Sequence, residues 1–311
     1  MKHIFIVNPA AGRSSAYASI EAALQRHQDF DVEIYETKQP RDAIAYIRQY
    51  CETHSEPVRF YACGGDGTIN EVANGIYGFP HASMSCYPCG SGNDFVKYYG
   101  GSERFLDMEQ LMLADEQPID LMQVNGHIAI NVVNFGFDGS VAETMASVRR
   151  KPSLGGRNAY TTGILKAFFT SMRTKCKVYA DGELLNPDGK MLLSTIACGR
   201  YVGGAYCCAP TSDNTDGLLD VSVANPVSRL TLIRMIGTYK AGRHLNDPRL
   251  ASVFAFRQAK KVVLEVPKKM SVCLDGEIIR DTQFEIEILP AAIRFAVPGI
   301  KGAAQSQEAA V

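Results

Sequence analysis

Through the first part of the chain, short apolar runs alternate with longer stretches whose apolar residues recur at helical spacing. His3–Val7 reads as a strand, and Ala16, Ile20, Ala23 and Leu24 mark a helix after it. Asp31–Glu36 alternates as a second strand, ending at Thr37. Pro40–Tyr50 reads as a helix with its proline in the first turn, where the missing N–H costs little. Val58–Cys63 is a third strand, and Ile69, Val72, Ala73 and Ile76 place a helix behind it. Met84–Tyr87 is a fourth strand, followed by a helix through Phe95, Val96 and Tyr99. This β-α-β-α-β-α order predicts a parallel sheet with helices on both faces.

From Ile119 the pattern changes. Ile119–Val124 and His127–Asn134 read as a hairpin about Asn125-Gly126. Helical spacing recurs at about Gly139–Val148 and Tyr160–Met172. Strands then dominate: Lys177–Ala180, Met191–Gly199, Leu218–Ala224, Lys261–Val266, Met270–Leu274 and Glu285–Leu289, with one helix near Ser228–Lys240. Asp181-Gly182 and Asp275-Gly276 look like hairpin turns. The expectation is an α/β fold with an N-terminal parallel-sheet domain over 1–120 and an antiparallel β-rich domain over 121–290. The apolar Ile293–Val297 makes 291–301 a candidate to complete the first domain, and 302–311 reads as a flexible tail.

Length and charge narrow the classes. A chain of 311 residues suits two domains. With 46% hydrophobic and 21% charged residues it has the composition of a soluble globular protein. A net charge of −1 gives no general pull toward nucleic acid or an anionic membrane. The start, MKHIFIVNPAAG, reads as a strand rather than a signal peptide, and no apolar run has the length of a membrane span. A cytoplasmic protein with at most peripheral membrane contact is expected. The nine cysteines sit mostly in apolar runs and read as reduced, buried thiols. Cys86 and Cys89 form a lone C-x-x-C with no second pair or histidine at zinc spacing. Cys207 and Cys208 are adjacent and too cramped for an ordinary disulfide.

Chemistry concentrates in the turns after the strands, where α/β sheets bind ligands. Asn8–Gly12, Thr37 and Gly64–Thr68 would meet at one sheet edge, and Gly90-Ser91-Gly92-Asn93-Asp94 is a further small-residue turn there. Glycine turns opening a helix suit a phosphate, because the backbone can approach closely and the helix start is positive. Asp66 has two readings. It caps the helix, or it works through a divalent cation or a positioned donor, since a bare carboxylate repels phosphate. Asp94 poses the same choice. Asp275-Gly276-Glu277, taken alone, is a plain hairpin turn. The basic loop from Arg149 to Arg157 is a solvated face or meets anionic lipid. The nearby stripe Leu165, Phe168, Phe169 and Met172 reads as core.

Five motifs occur in order: Asn8-Pro9-x-x-Gly12, Gly64-Gly65-Asp66-Gly67-Thr68 with Asn70-Glu71-Val72, Gly90-Ser91-Gly92-Asn93-Asp94-Phe95, Asp216-Gly217-Leu218-Leu219-Asp220, and Leu274-Asp275-Gly276-Glu277. The set resembles the bacterial lipid kinases of the diacylglycerol kinase catalytic-domain family, related to sphingosine and ceramide kinases, from Lys2 to about Pro298. The resemblance implies an active site in the cleft between an α/β nucleotide domain and a β-rich acceptor domain. It implies ATP against Asn8, Pro9, Ala10, Ala11, Gly12, Thr37, Gly64, Gly65, Asp66, Gly67, Thr68, Asn70, Glu71, Ser91, Asn93 and Asp94. Ser91 stands where the family often has threonine, which keeps the hydroxyl.

The resemblance also places the base that activates the acceptor on Glu277, with Asp275 as the alternative. Asp66, Asp94 and Asp120 correspond to an acidic network linked to catalytic Mg2+. Thr215, the Leu218 carbonyl and Asp220 correspond to a second, structural Mg2+. The implied reaction moves the γ-phosphoryl of ATP to a lipid hydroxyl at a membrane surface, most simply from diacylglycerol to phosphatidic acid. Two rivals are an NAD kinase, which shares Gly-Gly-Asp-Gly-Thr, and a non-catalytic nucleotide- or lipid-binding regulator of the same fold. An exposed sheet edge leaves room for a homodimer.

Overall fold

The computed structural model describes residues 1–9, 11, 16–26, 30–137 and 172–299. The helices expected near 139–148 and 160–172, the basic loop from Arg149 and the stripe from Leu165 to Phe169 lie outside the described residues. The chain divides into two compact units, Met1–Leu121 with the segment from Pro290 onward, and Met122–Leu289.

In the first unit β1 (Lys2–Val7), β2 (Asp31–Glu36), β3 (Val58–Gly64) and β4 (Ala82–Pro88) pair in parallel in the order β2-β1-β3-β4. Every residue of β3 and β4 is buried. That explains why these strands read as continuous apolar runs: helices cover both faces of the sheet. Ile20 and Ala23 of α1 (Ala16–Arg26), Ile47 of α2 (Asp42–Thr53), and Ile69, Val72 and Ala73 of α3 (Asp66–Ile76) fill the core around Phe5, Phe60 and Tyr61. At Gly75 a Cβ would lie 2.8 Å from Ile47 Cβ, so glycine is what lets α2 and α3 approach. Pro40 stands outside α2, and Arg41 precedes the helix with φ +67°. Phe95–Tyr99 forms a short 3-10 helix rather than a full α-helix. Arg59, on β3, is buried and donates to Glu116 at 2.8 Å and to the Leu111 and Met112 carbonyls, which fixes the end of α4 (Met108–Leu113).

The second unit is antiparallel. β5 (Glu116–Val124) runs into it and turns through Asn125-Gly126, both at positive φ, into β6 (His127–Ala129). Besides two-residue strands, the unit contains β7 (Val132–Gly136), β8 (Lys177–Ala180), β9 (Leu193–Ala197), β10 (Leu219–Ala224), β11 (Phe254–Ala259), β12 (Lys261–Leu274) and the start of β13 (Glu277–Ala296). They pair in the order β11-β10-β9-β7-β12-β13, with β8 also on β12. Lys261–Val266 and Met270–Leu274, expected as two strands, are one. Pro267 is accommodated by a register shift against β13 between Glu265 and Met270. One face packs Val133, Phe135, Ile196, Val221, Val272 and Phe284 together. The other carries α5 (Arg229–Lys240), capped by the Ser228 hydroxyl on Thr231 N–H, with Leu232, Met235 and Tyr239 facing inward. β13 then returns to the first unit, where Phe295 pairs with Met84 of β4.

Each unit buries a neutral histidine. Burial, with the Arg59 charge nearby, pushes His3 down to about 4, and burial pushes His244 down to about 4. An unfolded histidine takes its proton near pH 6.5, whereas these folded rings take it only near pH 4. Stability is therefore whole above pH 6.5, falls as the pH drops toward 4, and loses nothing more from these groups below that. Between pH 7 and 5 each histidine should remove about 2 kcal/mol. Urea titrations at the two pH values check this: the loss should shrink in His3→Gln, and an undiminished loss would clear His3 of the effect.

Candidate active site

The turns after β1, β2, β3 and β4 are bound to one another by backbone and side chain. Asn8 N–H donates to Cys63 O at 3.0 Å, and Asn8 Nδ2 donates to Thr68 Oγ1 at 3.1 Å. Thr37 N–H donates to Val7 O at 2.9 Å, and its hydroxyl points at the same carbonyl at 3.4 Å. Pro9 and Ala11 are part of the first turn, closed by Ala11 N–H on Asn8 O. Ala10 and Gly12, which the resemblance places on ATP, lie outside the described residues.

The β3 and β4 turns touch without side chains between them. A Cβ on Gly64 would meet Thr68 Oγ1 at 2.2 Å, and one on Gly90 would meet Gly65 Cα at 2.4 Å. Glycine is thus required at Gly64 and Gly90 by contact. Gly67 differs: it is exposed, sits in the first turn of α3, and a Cβ there meets nothing within 4 Å. The fold gives no reason for a glycine at this position, where it costs roughly 0.5–1 kcal/mol relative to alanine. Gly67→Ala should therefore raise Tm, which thermal unfolding checks; an unchanged or lowered Tm would mean that the turn itself needs the glycine.

Asp66 is not the cap of α3. The cap is Gly65, and Asp66 Oδ1 instead accepts the Phe95 N–H at 3.0 Å, so the carboxylate ties the two glycine turns together. A Cβ on Gly92 would lie 2.9 Å from Asp66 Oδ2 and 3.6 Å from Asp94 Oδ2, so both carboxylates border the same backbone. Asp94 occupies the N-cap position of its 3-10 helix, but its side chain makes no cap hydrogen bond. It pairs with Lys97 Nζ at 2.6 Å, and Lys97 also donates to Gly92 O at 2.8 Å. Lys97 was not among the expected site residues, although its i,i+3 spacing from Asp94 was a readable signal. Asn93 has φ +50° and donates to Gly90 O, while its Oδ1 is buried with no hydrogen-bond partner. Ser91 is exposed beside it and Glu71 is half-buried. Asn70 is turned into α3, where its Oδ1 accepts from Asn74 Nδ2 at 2.9 Å.

Asp120 does not join Asp66 and Asp94 as a ligand set. It is buried, and its Oδ1 accepts the N–H of Ala291 at 2.7 Å, holding a non-glycine residue at φ +50°. Among the described residues no three or more His, Cys, Asp or Glu side chains are grouped to hold a metal ion.

The second unit separates the two candidate bases. Asp275, at φ +47° in its turn, accepts Ile130 N–H on Oδ2 at 2.7 Å, and Asn131 and Val132 N–H on Oδ1 at 3.1 and 2.9 Å. This carboxylate anchors the backbone entering β7. Glu277 is exposed at the first position of β13. Two side chains of the set expected for a structural Mg2+ have partners within the protein. Thr215 Oγ1 donates to Asp213 Oδ1, and Asp220 accepts from Thr211 Oγ1 at 2.5 Å and from Gln258 Nε2 at 3.1 Å. Gln258 reaches Asp216 as well, at 3.2 Å. Donors from Thr211 and Gln258 thus face the Asp220 carboxylate, while Thr215 Oγ1, itself the donor to Asp213, keeps its lone pairs.

Residues 2–124 match the family model of the diacylglycerol kinase catalytic domain, and residues 131–297 match that of the YegS C-terminal NAD kinase beta sandwich-like domain. The chain belongs to this family of lipid kinases. A protein named "Probable lipid kinase YegS-like" from Pseudomonas aeruginosa is 31% identical over 242 residues, covering 76% of each chain. A protein named "Diacylglycerol kinase" from Bacillus subtilis is 28% identical over 283 residues, covering 88% of each. In fold the chain is similar to a crystal structure of a diacylglycerol kinase from Bacillus anthracis, with a TM-score of 0.69 at 20% identity over 96% of this chain and 97% of that one. Among the described residues no helix is long and apolar enough to cross a membrane.

Proposed function

We propose that this member of the family transfers the γ-phosphoryl of ATP to the hydroxyl of a lipid, diacylglycerol in the first place, to give phosphatidic acid. The observation that carries the reading is the pair of glycine turns, 64–67 and 90–92, tied by Asp66 to Phe95 N–H. A cradle in which side chains are excluded by contact fits a polyphosphate, whose oxygens need close backbone approach.

The oxygen donors of Asp66 and Asp94 beside Gly92 fit a magnesium ion that shares its coordination with phosphates. When bound it would offset charge on the transferring phosphoryl group. The chain's own contribution is positioning. The turn backbones hold the phosphates, and Asp66 keeps the two turns in register. Lys97 holds the Asp94 carboxylate and the Gly92 carbonyl in place. Glu277 accepts the proton from the attacking lipid hydroxyl, so that the O–P bond forms as ADP leaves.

Transfer from labelled ATP with Mg2+ to a panel of lipids in mixed micelles, with NAD as a control acceptor, tests the reading. Label in phosphatidic acid supports it, and label in another lipid alcohol changes the acceptor. Label in NADP, or ATP binding with no transfer, overturns it in favour of an NAD kinase or a non-catalytic regulator.

A further inference from the structure

Helix α5 is apolar on two opposite sides. Leu232, Met235 and Tyr239 fall within about 60° of one another at ~100° per residue and are buried against the sheet. Leu230, Ile233 and Gly237 span a similar arc on the far side. There Leu230 is 56% and Ile233 59% exposed, one turn apart. An ordinary surface helix places polar residues at these positions.

The surroundings of that outer stripe are cationic. Arg229 and Lys240 flank it on one side and Arg234 on the other, with Arg243 just beyond the helix end, and all four are exposed. Lys240 Nζ also lies over the Tyr206 ring at 5.8 Å. From Val221 to Asn246 the chain contains no Asp or Glu, although its overall charge is −1. The next acid, Asp247, is paired with Arg249 at 2.7 Å. Two protruding aliphatic side chains ringed by cations complement an anionic lipid surface, where the aliphatics enter the headgroup boundary and the cations meet phosphates.

We infer that the outer face of α5 docks the protein onto an anionic bilayer. This deepens the lipid-kinase reading, because the acceptor resides in a membrane that the chain has no described helix to span. The docking is peripheral and reversible, and its strength falls with salt.

Co-sedimentation of the full chain with vesicles, without nucleotide, tests the inference. Phosphatidylcholine vesicles are compared with vesicles containing one-third phosphatidylglycerol. The wild type should partition to the anionic vesicles and be released by salt. The Leu230→Ser/Ile233→Ser double variant should bind at least about tenfold more weakly. Arg234→Gln/Lys240→Gln should lose about fivefold per cation at low salt. Both variants should keep the wild-type Tm and transfer phosphate to a detergent-dispersed acceptor at the wild-type rate.

Absent wild-type binding, or variants that bind as the wild type does, would overturn the inference. So would a wild-type dimer in sedimentation that the aliphatic variant converts to monomer, since the face would then belong to a second copy of the chain. Failure of the lipid-kinase reading shows separately, as wild-type protein that binds vesicles yet transfers nothing in micelles.

Discussion

Asp66→Asn should lower the phosphotransfer rate by roughly 10²–10³ while leaving a folded protein. The substitution keeps an oxygen for the Phe95 N–H, so the 3.0 Å bond between the two glycine turns survives as a neutral one. The stability cost should be about 1 kcal/mol, the difference between a charged and a neutral acceptor. What disappears is the negative charge beside Gly92, where Asp66 and Asp94 border the same backbone. Asp66→Ala goes further. It also strands the Phe95 N–H and lets the β4 turn drift, so KM for ATP should rise along with the loss of kcat. Measuring kcat, KM and Tm for both variants separates the roles. If Asp66→Asn stays within about threefold of the wild-type rate, Asp66 is a structural tie and its charge plays no part in transfer.

The same residue shows how far the sequence was legible. The strand–glycine–helix pattern located the turn, but a carboxylate after two glycines is equally a cap or a ligand. Only the Phe95 N–H, which arrives from the following turn, decides that Asp66 is no cap. Local signals carried what was local. The alternating strands, the Asn125-Gly126 hairpin and the Ser228 cap of α5 all follow from short-range spacing and turn chemistry. Lys97 beside Asp94 and Asn74 beside Asn70 were equally local, at i,i+3 and i,i+4, and could have been read.

Long-range partners could not. Asp120 holds Ala291 from far along the chain, and Gln258 meets Asp220 only because β10 and β11 pair in that register. Both contacts involve side chains that the resemblance assigns to metal. Pro267 misled in another way. It broke the apolar pattern of β12, whereas the structure keeps the strand and absorbs the proline in a register shift. The exposed Leu230 and Ile233 were hidden by the opposite effect, since an apolar residue on a helix reads as core until the buried face is known.

Asp275→Ala should strongly destabilise the second unit, and Glu277→Gln should barely change it. Asp275 gives its two oxygens to three backbone N–H groups at the entry to β7, 2.7 to 3.1 Å away. Removing the carboxylate leaves three donors from Ile130, Asn131 and Val132 without their partner, at a cost of about 3 kcal/mol or more. Asn131 is buried there and its side chain already holds Tyr201 O, so the strand start has little room to find new acceptors. Glu277, two residues on, is exposed, and its amide should fold with a change of less than about 0.5 kcal/mol. Its turnover should nevertheless fall by roughly 10²–10⁴, the usual worth of a positioned base. Urea midpoints and transfer rates for both variants, with Asp275→Asn as an intermediate that keeps one acceptor oxygen, give four outcomes that cannot be confused. A stable, inactive Glu277→Gln beside an unstable Asp275→Ala assigns base and anchor as argued. A fully active Glu277→Gln moves the proton transfer elsewhere. A folded but inactive Asp275→Asn would return Asp275 to the chemistry. A stable, active Asp275→Ala would mean that the three N–H groups find water instead, and that the turn is held by its Asp-Gly geometry alone.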